Sequence, residues 1–268
     1  MDFDKFRYTR DTVLQDLSAD QNGGLKNAEL RDLRRQLWRE LADYQERLYA
    51  ESKQSLLVVL QAMDAAGKDS SIAKLTTQLN AQGCKIHSFK KPTDVEMSHD
   101  FLWRVHAKAP VRGDITLFNR SHYEDVLVVK VHGWVSEEQI QARYSHINNF
   151  EALLADRGTR VIKFMLNISP EYQLERLKRR LENSEKNWKF NPADLDERVL
   201  WDDYMEAFDS AMTHCSNERS PWYVVPAQNR IFRDVMIASV MLDALRDMDP
   251  KYPKPTFDAE KFTVDSIR

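Results

Sequence analysis

The chain has 268 residues, 42% of them hydrophobic, and a formal net charge of −3 at pH 7. This composition is ordinary for a globular protein of one large or two small domains, and the near-neutral charge argues against a surface that binds duplex nucleic acid. The two cysteines, Cys84 and Cys215, form no C-x-x-C pair, and no apolar run has the length of a signal peptide or a membrane span, so we expect a cytoplasmic protein without disulfides, zinc or a membrane role.

Residues 1–54 are predicted to form a helical N-terminal extension. After the helix breaker at residues 22–24 (Asn-Gly-Gly), leucines and aromatic residues recur at helical spacing from Asn27 onward, at Leu30, Leu33, Leu37, Leu41, Tyr44 and Leu48. A stripe of this kind more often packs on a protein's own core than on a partner, so we favour core packing. The same stripe is the one feature behind our expectation of a homo-oligomer.

From residue 55 the chain alternates between strands and helices. Strands are predicted at residues 55–63, 85–89, 115–118, 159–168 and 222–226, and helices at residues 70–82, 98–108, 136–155, after Ser169, and at 229–248. Strands separated by helices of this length indicate an α/β fold, with a parallel sheet covered by helices on both faces. We expect residues 55–268 to form one domain, with its ligand beyond the carboxyl ends of the strands.

The first of these strands runs into a loop of small residues that ends in Gly67-Lys68. Such a loop offers backbone N–H groups and a helix N-terminus to a phosphate, with the lysine as a point charge. The match to the pattern G-x-x-x-x-G-K-[ST] is imperfect, because Ala62 replaces the first glycine and Asp69 replaces the hydroxyl residue. We predict phosphate binding by the loop and the start of its helix, at Ala65, Ala66, Gly67, Lys68, Asp69 and Ser70.

Asp64 is the unusual residue of this loop. A carboxylate beside a phosphate repels it unless a cation lies between them, so Asp64 indicates a metal-bridged site. In the alternative interpretation, Asp64 and Asp69 only cap the following helix.

A dense polar segment follows the strand at 115–118, and it reads Asn-Arg-Ser-His-Tyr-Glu-Asp over residues 119–125. Phosphate-loop enzymes usually place a magnesium-binding carboxylate here, but this chain has Asn119, which shifts metal binding toward Asp64 and Asp69. Arg120 can donate two hydrogen bonds to phosphate oxygens, or it can pair with a neighbouring carboxylate of the segment. The G-x-S-x-G motif is absent, so a hydrolytic triad is disfavoured and we expect His122 to orient its neighbours by hydrogen bonds.

The helix after Ser169 is strongly basic. Arg176 and Arg180 are one turn apart and share a face, and Lys186 and Lys189 follow in a polar connection. We expect a buried stripe on this helix at Leu174, Leu177 and Leu181. A basic run is often only a solvated face, but together with a phosphate loop and Arg120 it is typical of a lid, here at about residues 176–200, that closes over a transferring phosphoryl group.

Four segments, in this order, resemble motifs of the polyphosphate kinase 2 family. They read Asp-Ala-Ala-Gly-Lys-Asp at 64–69, Pro-Thr at 92–93 with Asp-Phe-Leu-Trp-Arg at 100–104, Phe-Asn-Arg-Ser-His-Tyr-Glu-Asp at 118–125, and Trp-Lys-Phe at 188–190. The resemblance spans residue 55 to the C-terminal helix. It implies a three-layer phosphate-loop kinase fold with a helical lid, related to thymidylate kinases, and transfer of a terminal phosphoryl group from inorganic polyphosphate to a nucleotide with Mg²⁺.

The resemblance also implies roles for single residues. The segment Asn-Arg-Ser-His-Tyr-Glu resembles the corresponding segment of the class that phosphorylates both AMP and ADP. This resemblance implies that Glu124 discriminates between acceptors. The implied phosphate and catalytic set is Asp64, Lys68, Arg120, Arg176 and Arg180, with Asp64 as the metal ligand, and the implied nucleotide-binding set is Lys91, Trp103, Arg104, Asn119, Tyr123 and Glu124. The chain departs from the family pattern at Ser184 and Asn187, where proline and a basic residue are common.

We therefore predict a polyphosphate:AMP/ADP phosphotransferase that uses Mg²⁺, acts on adenine nucleotides, with guanine nucleotides as a further candidate, and binds no nucleic acid. A polyphosphate chain carries about one charge per phosphate, so it needs a basic track, and its binding should weaken with salt. Two alternatives are an ATP-dependent nucleoside monophosphate kinase on the same fold and a non-catalytic nucleic-acid-binding module. The near-neutral charge and the acidic residues in the loop disfavour the second alternative.

Overall fold

The computed structural model describes residues 1–257, 261, 262, 264 and 267. Its sheet has five parallel strands, β1 (Ser55–Gln61), β2 (Cys84–Ser88), β3 (Ile115–Asn119), β4 (Thr159–Asn167) and β5 (Trp222–Pro226), in the order β2-β3-β1-β4-β5. All five predicted strands are confirmed within two residues at each end. The predicted domain of residues 55–268 ends in positions 258–260, 263, 265, 266 and 268, which lie outside the described residues.

Ten α-helices connect and cover these strands in the described part of the chain. They are α1 (Asn27–Glu51), α2 (Lys68–Thr76), α3 (Asp94–Met97), α4 (Trp103–His106), α5 (Val128–Val131), α6 (Glu137–Asp156), α7 (Pro170–Glu182), α8 (Ala193–Val199), α9 (Trp201–Cys215) and α10 (Arg230–Met248). Short 3-10 turns occur as well, at Ala81–Gly83, His122–Asp125 and Ser184–Lys189 among other places. No helix in these described residues is both long and apolar enough to cross a membrane.

The core lies on both faces of the sheet, because successive side chains of a strand point to opposite faces. In β1, Leu56, Val58 and Leu60 pack against α1, α2 and α10, whereas Leu57 and Val59 pack against α6 and α9. Every residue of this central strand is buried. The three layers of helix, parallel sheet and helix are the predicted α/β architecture.

The apolar stripe of α1 is part of this core. Leu30, Leu41 and Leu48 have no exposed surface, and α1 packs along α10. The interpretation as core packing is confirmed, because the leucines of the stripe lie in or against the chain's own core. The expectation of a homo-oligomer stays a prediction without this support.

Two helix predictions are wrong. The helix predicted at residues 98–108 is replaced by α3 and α4, because Thr93 and Glu96 form a capping box that starts a helix earlier and the Asp100 side chain caps a separate turn. On α7 the predicted stripe is buried only at Leu177, whereas Leu174 is 37% exposed and Leu181 57% exposed. The predicted stripe of α7 is therefore packed on the core at one position only, and the last turn of the helix, at Leu181, is exposed.

Candidate active site

The loop between β1 and α2 has the geometry that a phosphate-binding loop needs. Ala65 and Gly67 adopt left-handed backbone conformations, with φ of 65° and 105°, and Gly67 immediately precedes the first turn of α2. The first backbone N–H groups of a helix have no partner within the helix, so they are free for an anion. The predicted loop thus lies at the carboxyl end of the central strand and leads directly into a helix N-terminus.

Lys68 folds back over this loop. Its side chain is 8% exposed, and Nζ donates hydrogen bonds to the carbonyl oxygens of Ala62 at 2.6 Å and Met63 at 3.4 Å. Burial lowers the pKa of Lys68, although the nearby carboxylate of Asp64 opposes that shift. The lysine is held against the loop by carbonyl groups that a phosphate can replace.

Asp64 and Arg120 form the centre of the site. An Nη2–Oδ1 contact of 2.8 Å joins them, and Arg120 Nη1 also lies 3.4 Å from Glu124 Oε2. Burial alone would raise the pKa of Asp64, but Lys68, Arg120 and Arg180 outweigh it and hold the pKa below its ordinary value. Asp64 is therefore a carboxylate at neutral pH.

The contacts of Asp64, Asp69 and Arg120 bear on the two alternatives, helix capping by the aspartates and pairing of Arg120 with a neighbouring carboxylate. The Asp64 carboxylate pairs with Arg120 rather than with the N-terminus of α2, and Asp69 Oδ1 accepts a hydrogen bond from Asn119 Nδ2 at 2.7 Å. Helix capping does not account for either aspartate. Arg120 does pair with Glu124, as the alternative expected, but its shorter contact is to Asp64.

The backbone at Arg120 is strained. Its φ of 61° is left-handed, which costs about 1–2 kcal/mol for a residue with a Cβ. The Arg120 N–H donates to the carbonyl of Leu60 at 3.0 Å, and the next residue, Ser121, is buried and bonded to Gln61 Nε2 at 3.2 Å. These bonds to β1 hold the strained residue in place, and local strain of this kind is typical of functional sites.

A cleft of about 660 Å³ opens above the loop. Two aspartates, Asp64 and Asp69, line it, together with nine cationic side chains: Lys68, Lys90, Arg120, Arg176, Arg179, Arg180, Lys186, Lys189 and Arg230. We call this space the cationic cleft. Its excess of positive charge suits an elongated polyanion.

The predicted lid region contains most of α7, the turn at Ser184–Lys189 and α8. Arg180 on α7 is held by Asp194 of α8, with Nη1 2.9 Å from Oδ2, and by the carbonyl of Lys189 at 3.1 Å. Arg176 lies half-buried in the cationic cleft, and both burial and the nearby Arg230 lower its pKa. The two predicted lid arginines thus reach the same cleft.

The base of the lid is braced on the phosphate loop. Gln173 is 1% exposed, and its Nε2 donates to the backbone carbonyl of Asp64 at 3.1 Å. Arg198 of α8 in turn donates to Gln173 Oε1 at 2.8 Å and to the carbonyl of Pro170 at 2.7 Å. These hydrogen bonds connect α8 to the backbone of Asp64, the residue whose carboxylate lies at the centre of the site.

A second cavity, of about 220 Å³, lies on the other side of the Asp64–Arg120 pair, and both residues line both cavities. Its walls combine apolar side chains with acceptor groups: Ala62, Met63, Leu127, Val128, Phe208, Glu124, Asn191, Asp194, Glu197 and Tyr204. The hydroxyl of Tyr204 donates to Glu197 at 2.6 Å, and His132 Nε2 lies 3.1 Å from the same carboxylate. We call this space the side cavity.

The structure brings most predicted site residues together. The cationic cleft is lined by Asp64, Ala65, Gly67, Lys68, Asp69, Ser70, Asn119, Arg120, Arg176, Arg180, Lys186 and Lys189, and the side cavity by Glu124. Ala66 belongs to the loop but is 2% exposed and lies behind it.

Four predicted nucleotide-binding residues line neither cavity. Tyr123 has no exposed surface, and its hydroxyl donates to the buried Glu151 at 2.9 Å. The prediction that Tyr123 contacts the nucleotide directly does not agree with this burial. Arg104 is 7% exposed and donates to the carbonyl of Lys90 at 2.8 Å, which makes it a structural residue. Trp103 is exposed and stacks on His99 with ring centroids 4.2 Å apart, and Lys91 is exposed as well.

A buried ionic cluster lies beneath the segment 119–125. Lys163 Nζ lies 2.5 Å from Glu151 Oε2 and 3.0 Å from the Tyr123 hydroxyl, and His122 Nε2 lies 3.3 Å from Glu151 Oε1. Ser121 and His122 have no exposed surface. The predicted hydrogen bonding of His122 is present, its orienting role stays a prediction, and the burial of both residues disfavours a hydrolytic pair.

Sequence reasoning missed several residues that line the two cavities. Arg230 and Lys90 line the cationic cleft and follow the carboxyl ends of β5 and β2, which is the same signal that identified Arg120. Glu197 and Tyr204 of the side cavity come from α8 and α9, two helices that were not predicted. No motif marks them, and only their helical spacing could have placed them on a shared face.

The donor set suits a divalent cation that is shared with a bound anion. The described residues contain no group of three or more His, Cys, Asp or Glu side chains that could hold a metal alone. Asp64 offers an ionised carboxylate that is 30% exposed at the junction of the two cavities. One or two carboxylates plus substrate phosphates are the usual ligands of Mg²⁺, so the residues fit such an ion.

Comparison with known proteins gives consistent matches over most of the chain. The model of the polyphosphate kinase 2 family matches residues 24–253. An AMP/ADP-polyphosphate phosphotransferase of Meiothermus ruber is 45% identical over 227 residues, covering 85% of each chain, and an ADP-polyphosphate phosphotransferase of Rhodopseudomonas palustris is 41% identical over 228 residues, covering 81% of this chain and 79% of that one. The crystal structure of polyphosphate kinase 2 from Arthrobacter aurescens TC1 superposes with a TM-score of 0.93 at 38% identity, over 96% of this chain and 93% of that one.

Proposed function

This chain belongs to the polyphosphate kinase 2 family, and from that premise we propose that it moves the terminal phosphoryl group of inorganic polyphosphate to AMP and to ADP, with Mg²⁺ as cofactor. In the reaction, the bond between the terminal phosphorus and its bridging oxygen breaks, and a bond to a phosphate oxygen of the nucleotide forms. The donor becomes one phosphate shorter and the nucleotide one phosphate longer. The same site can run the reaction in either direction.

The cationic cleft is the observation that carries this proposal. A donor with about one charge per phosphate needs many cations and no base-reading pocket. Nine lysines and arginines line the cleft against two aspartates, although the whole chain is slightly acidic. We assign the polyphosphate chain to this cleft, between the phosphate loop and the lid.

The side cavity is our candidate for the acceptor nucleoside. It has apolar walls at Leu127, Val128 and Phe208, and hydrogen-bonding groups at Asn191 and Tyr204, a combination suited to a flat heterocyclic base. Among the described residues, Asp64 and Arg120 alone line both this cavity and the cationic cleft, so a nucleotide phosphate that enters from this side arrives beside the end of the donor. Glu124 lies on this acceptor side and is our candidate for setting the acceptor range.

Phosphoryl transfer needs positioning and positive charge more than covalent chemistry. Lys68 neutralises the donor phosphates at the loop, Arg120 contacts the moving group at the junction, and Arg176 and Arg180 contact it from the lid. Asp64 holds Mg²⁺ and orients the acceptor. When bound, Mg²⁺ supplies the charge that lets a carboxylate and the phosphates share one site.

A direct assay tests the proposal. Purified protein is incubated with linear polyphosphate, Mg²⁺ and either AMP, ADP or GMP, without ATP, and the products are separated by anion-exchange chromatography. We expect ADP and ATP to form from the adenine acceptors, and formation to stop when EDTA is added. Turnover of AMP with ATP but not with polyphosphate would favour a nucleoside monophosphate kinase, and salt-dependent RNA binding without turnover would favour a nucleic-acid-binding module.

A further inference from the structure

A buried arginine from the last helix lies directly behind the phosphate loop. Arg233 of α10 is 1% exposed, its Nη1 lies 3.5 Å from the carbonyl oxygen of Ala66, and its Nη2 lies 3.3 Å from Ser70 Oγ. Ser70 Oγ in turn donates to the carbonyl of Gly67 at 2.8 Å. A Cβ at Gly67 would lie 2.3 Å from Arg233 Nη1, so the guanidinium packs against the loop backbone itself.

Asp234 connects this arginine to the N-terminal helix. Its Oδ1 accepts from Arg233 Nη2 at 2.9 Å, and its Oδ2 accepts from Arg34 of α1 and Lys74 of α2, both at 3.0 Å. Arg34 also stacks on Trp38, with its guanidinium carbon 4.5 Å from the ring centroid. We call Arg34, Lys74, Arg233 and Asp234 the Arg233 cluster.

The cluster has more positive charge than its own pairing needs. Three cations surround one carboxylate, which leaves a net charge of two behind a loop that receives an anion on its other side. The two buried members, Arg233 and Asp234, carry opposite charges, and the excess positive charge lies on Arg34 and Lys74, whose side chains are 17% and 43% exposed and are therefore partly screened by solvent. The cluster therefore acts on the donor through the shape of the loop.

We propose that the Arg233 cluster positions the phosphate loop for the polyphosphate donor, and that α1 contributes to donor binding through Arg34. Resting on the function proposed above, this inference assigns positioning residues that never touch the substrate. Arg34 and Lys74 fix the Asp234 carboxylate, the carboxylate fixes Arg233, and Arg233 fixes Gly67 and Ser70. Because Gly67 and Ser70 line the cationic cleft and neither lines the side cavity, the effect falls on the donor and not on the nucleotide.

The test compares Arg34→Met and Arg233→Lys with a matched control, Arg246→Met. Arg246 also joins α10 to α1, through Glu40 at 2.6 Å, but it lies more than three helical turns beyond Arg233 along α10. For each variant, KM is measured for linear polyphosphate at saturating AMP and for AMP at saturating polyphosphate. Calorimetric titration of the nucleotide-free protein with the same polyphosphate, at constant ionic strength, gives a Kd that needs no turnover.

We expect the KM and Kd for polyphosphate to rise about fivefold in Arg34→Met and about tenfold in Arg233→Lys, the size of about one ordinary hydrogen bond because the effect on the donor is indirect, with KM for AMP within about twofold of wild type. Arg246→Met should leave all three constants unchanged. The inference fails if Arg34→Met behaves like Arg246→Met, or if both KM values rise together. If Arg233→Lys does not fold, Arg34→Met decides. If the wild type does not use polyphosphate, the proposed function fails and the calorimetric comparison alone decides this inference.

Discussion

At the scale of single residues, the site depends on a carboxylate in a place made for anions. Asp64 is surrounded by Lys68, Arg120 and Arg180, which keep it ionised in spite of its burial. The same three cations are our candidates for holding the donor phosphates. Arg120 therefore pairs with Asp64 in the structure, and under the proposed function Asp64 would exchange this partner for a divalent cation.

Replacing Asp64 tests this exchange. In Asp64→Asn the side chain keeps its shape but loses the charge that holds Mg²⁺, so we expect kcat to fall by about 100-fold or more. Its pair with Arg120 is partly exposed, so the melting temperature should change little. Steady-state kinetics with AMP and polyphosphate, together with thermal unfolding, measure both effects.

Asp156→Asn is the matched control, because it also breaks an Asp–Arg pair, with Arg219, but far from both cavities. It should retain wild-type kinetics. Near-normal turnover in Asp64→Asn would contradict the assignment of the metal ligand.

The residues that the sequence predicted best are those that follow a strand. Asp64 and Arg120 come directly after buried apolar runs, and parallel strands bring their carboxyl ends to one edge. Tyr123 was misplaced because it lies in the same polar segment, where adjacent residues of a tight turn face in different directions. Its burial depends on Glu151 and Lys163, which are 28 and 40 residues away along the chain, and no local pattern encodes that contact.

At the scale of elements, an ion pair between Arg180 and Asp194 connects α7 to α8, and a donor phosphate is our candidate to compete with Asp194 for Arg180. The guanidinium pairs with Asp194 in the structure, yet its position in the cationic cleft suits a phosphate. Burial, and then the nearby Asp64, raise the pKa of Asp194, so the charged form of this carboxylate is disfavoured where it lies. We propose that a donor phosphate takes the place of Asp194 beside Arg180.

Removing the competitor should strengthen donor binding. In Asp194→Ala, Arg180 loses its internal partner, so we expect KM for polyphosphate to fall about threefold, the size of a weak ion pair. KM for polyphosphate at saturating AMP is the measurement. Asp196→Ala, an exposed aspartate of the same helix, should have no effect. A rise in KM for polyphosphate in Asp194→Ala would instead mean that Asp194 orients Arg180 for the donor.

The sequence predicted elements well where apolar runs are long and poorly in the lid region. Strands and the helices α1, α6 and α10 have strong patterns because they fill the core on a fixed period. The helix α9 was missed, although Ala207, Phe208, Ala211 and Met212 are buried at helical spacing, because charged residues dominate its first turn. Short helices such as α8 are stabilised by tertiary contacts like those of Arg198, which a local pattern does not contain.

At the scale of the whole molecule, charge is separated between the site and the rest of the surface. The chain has 39 lysines and arginines against 42 aspartates and glutamates, yet nine cations and two aspartates line one cleft. The rest of the chain must then be distinctly acidic, which discourages polyanions from binding elsewhere. The fold thus concentrates its positive charge where α7 and the turn at Ser184–Lys189 face the phosphate loop.

This charge separation predicts different salt dependence for the two substrates. Because the donor contacts many cations at once, KM for polyphosphate should rise about tenfold between about 50 mM and 500 mM NaCl, as expected for a multivalent anion in a charged cleft. KM for AMP, which has one phosphate and a base in the side cavity, should rise much less. Sucrose at matched osmolality is the control and should change neither constant. An equal rise in both constants would mean that the nucleotide shares the cationic cleft, because a donor confined there and a base confined to the side cavity respond differently to screening.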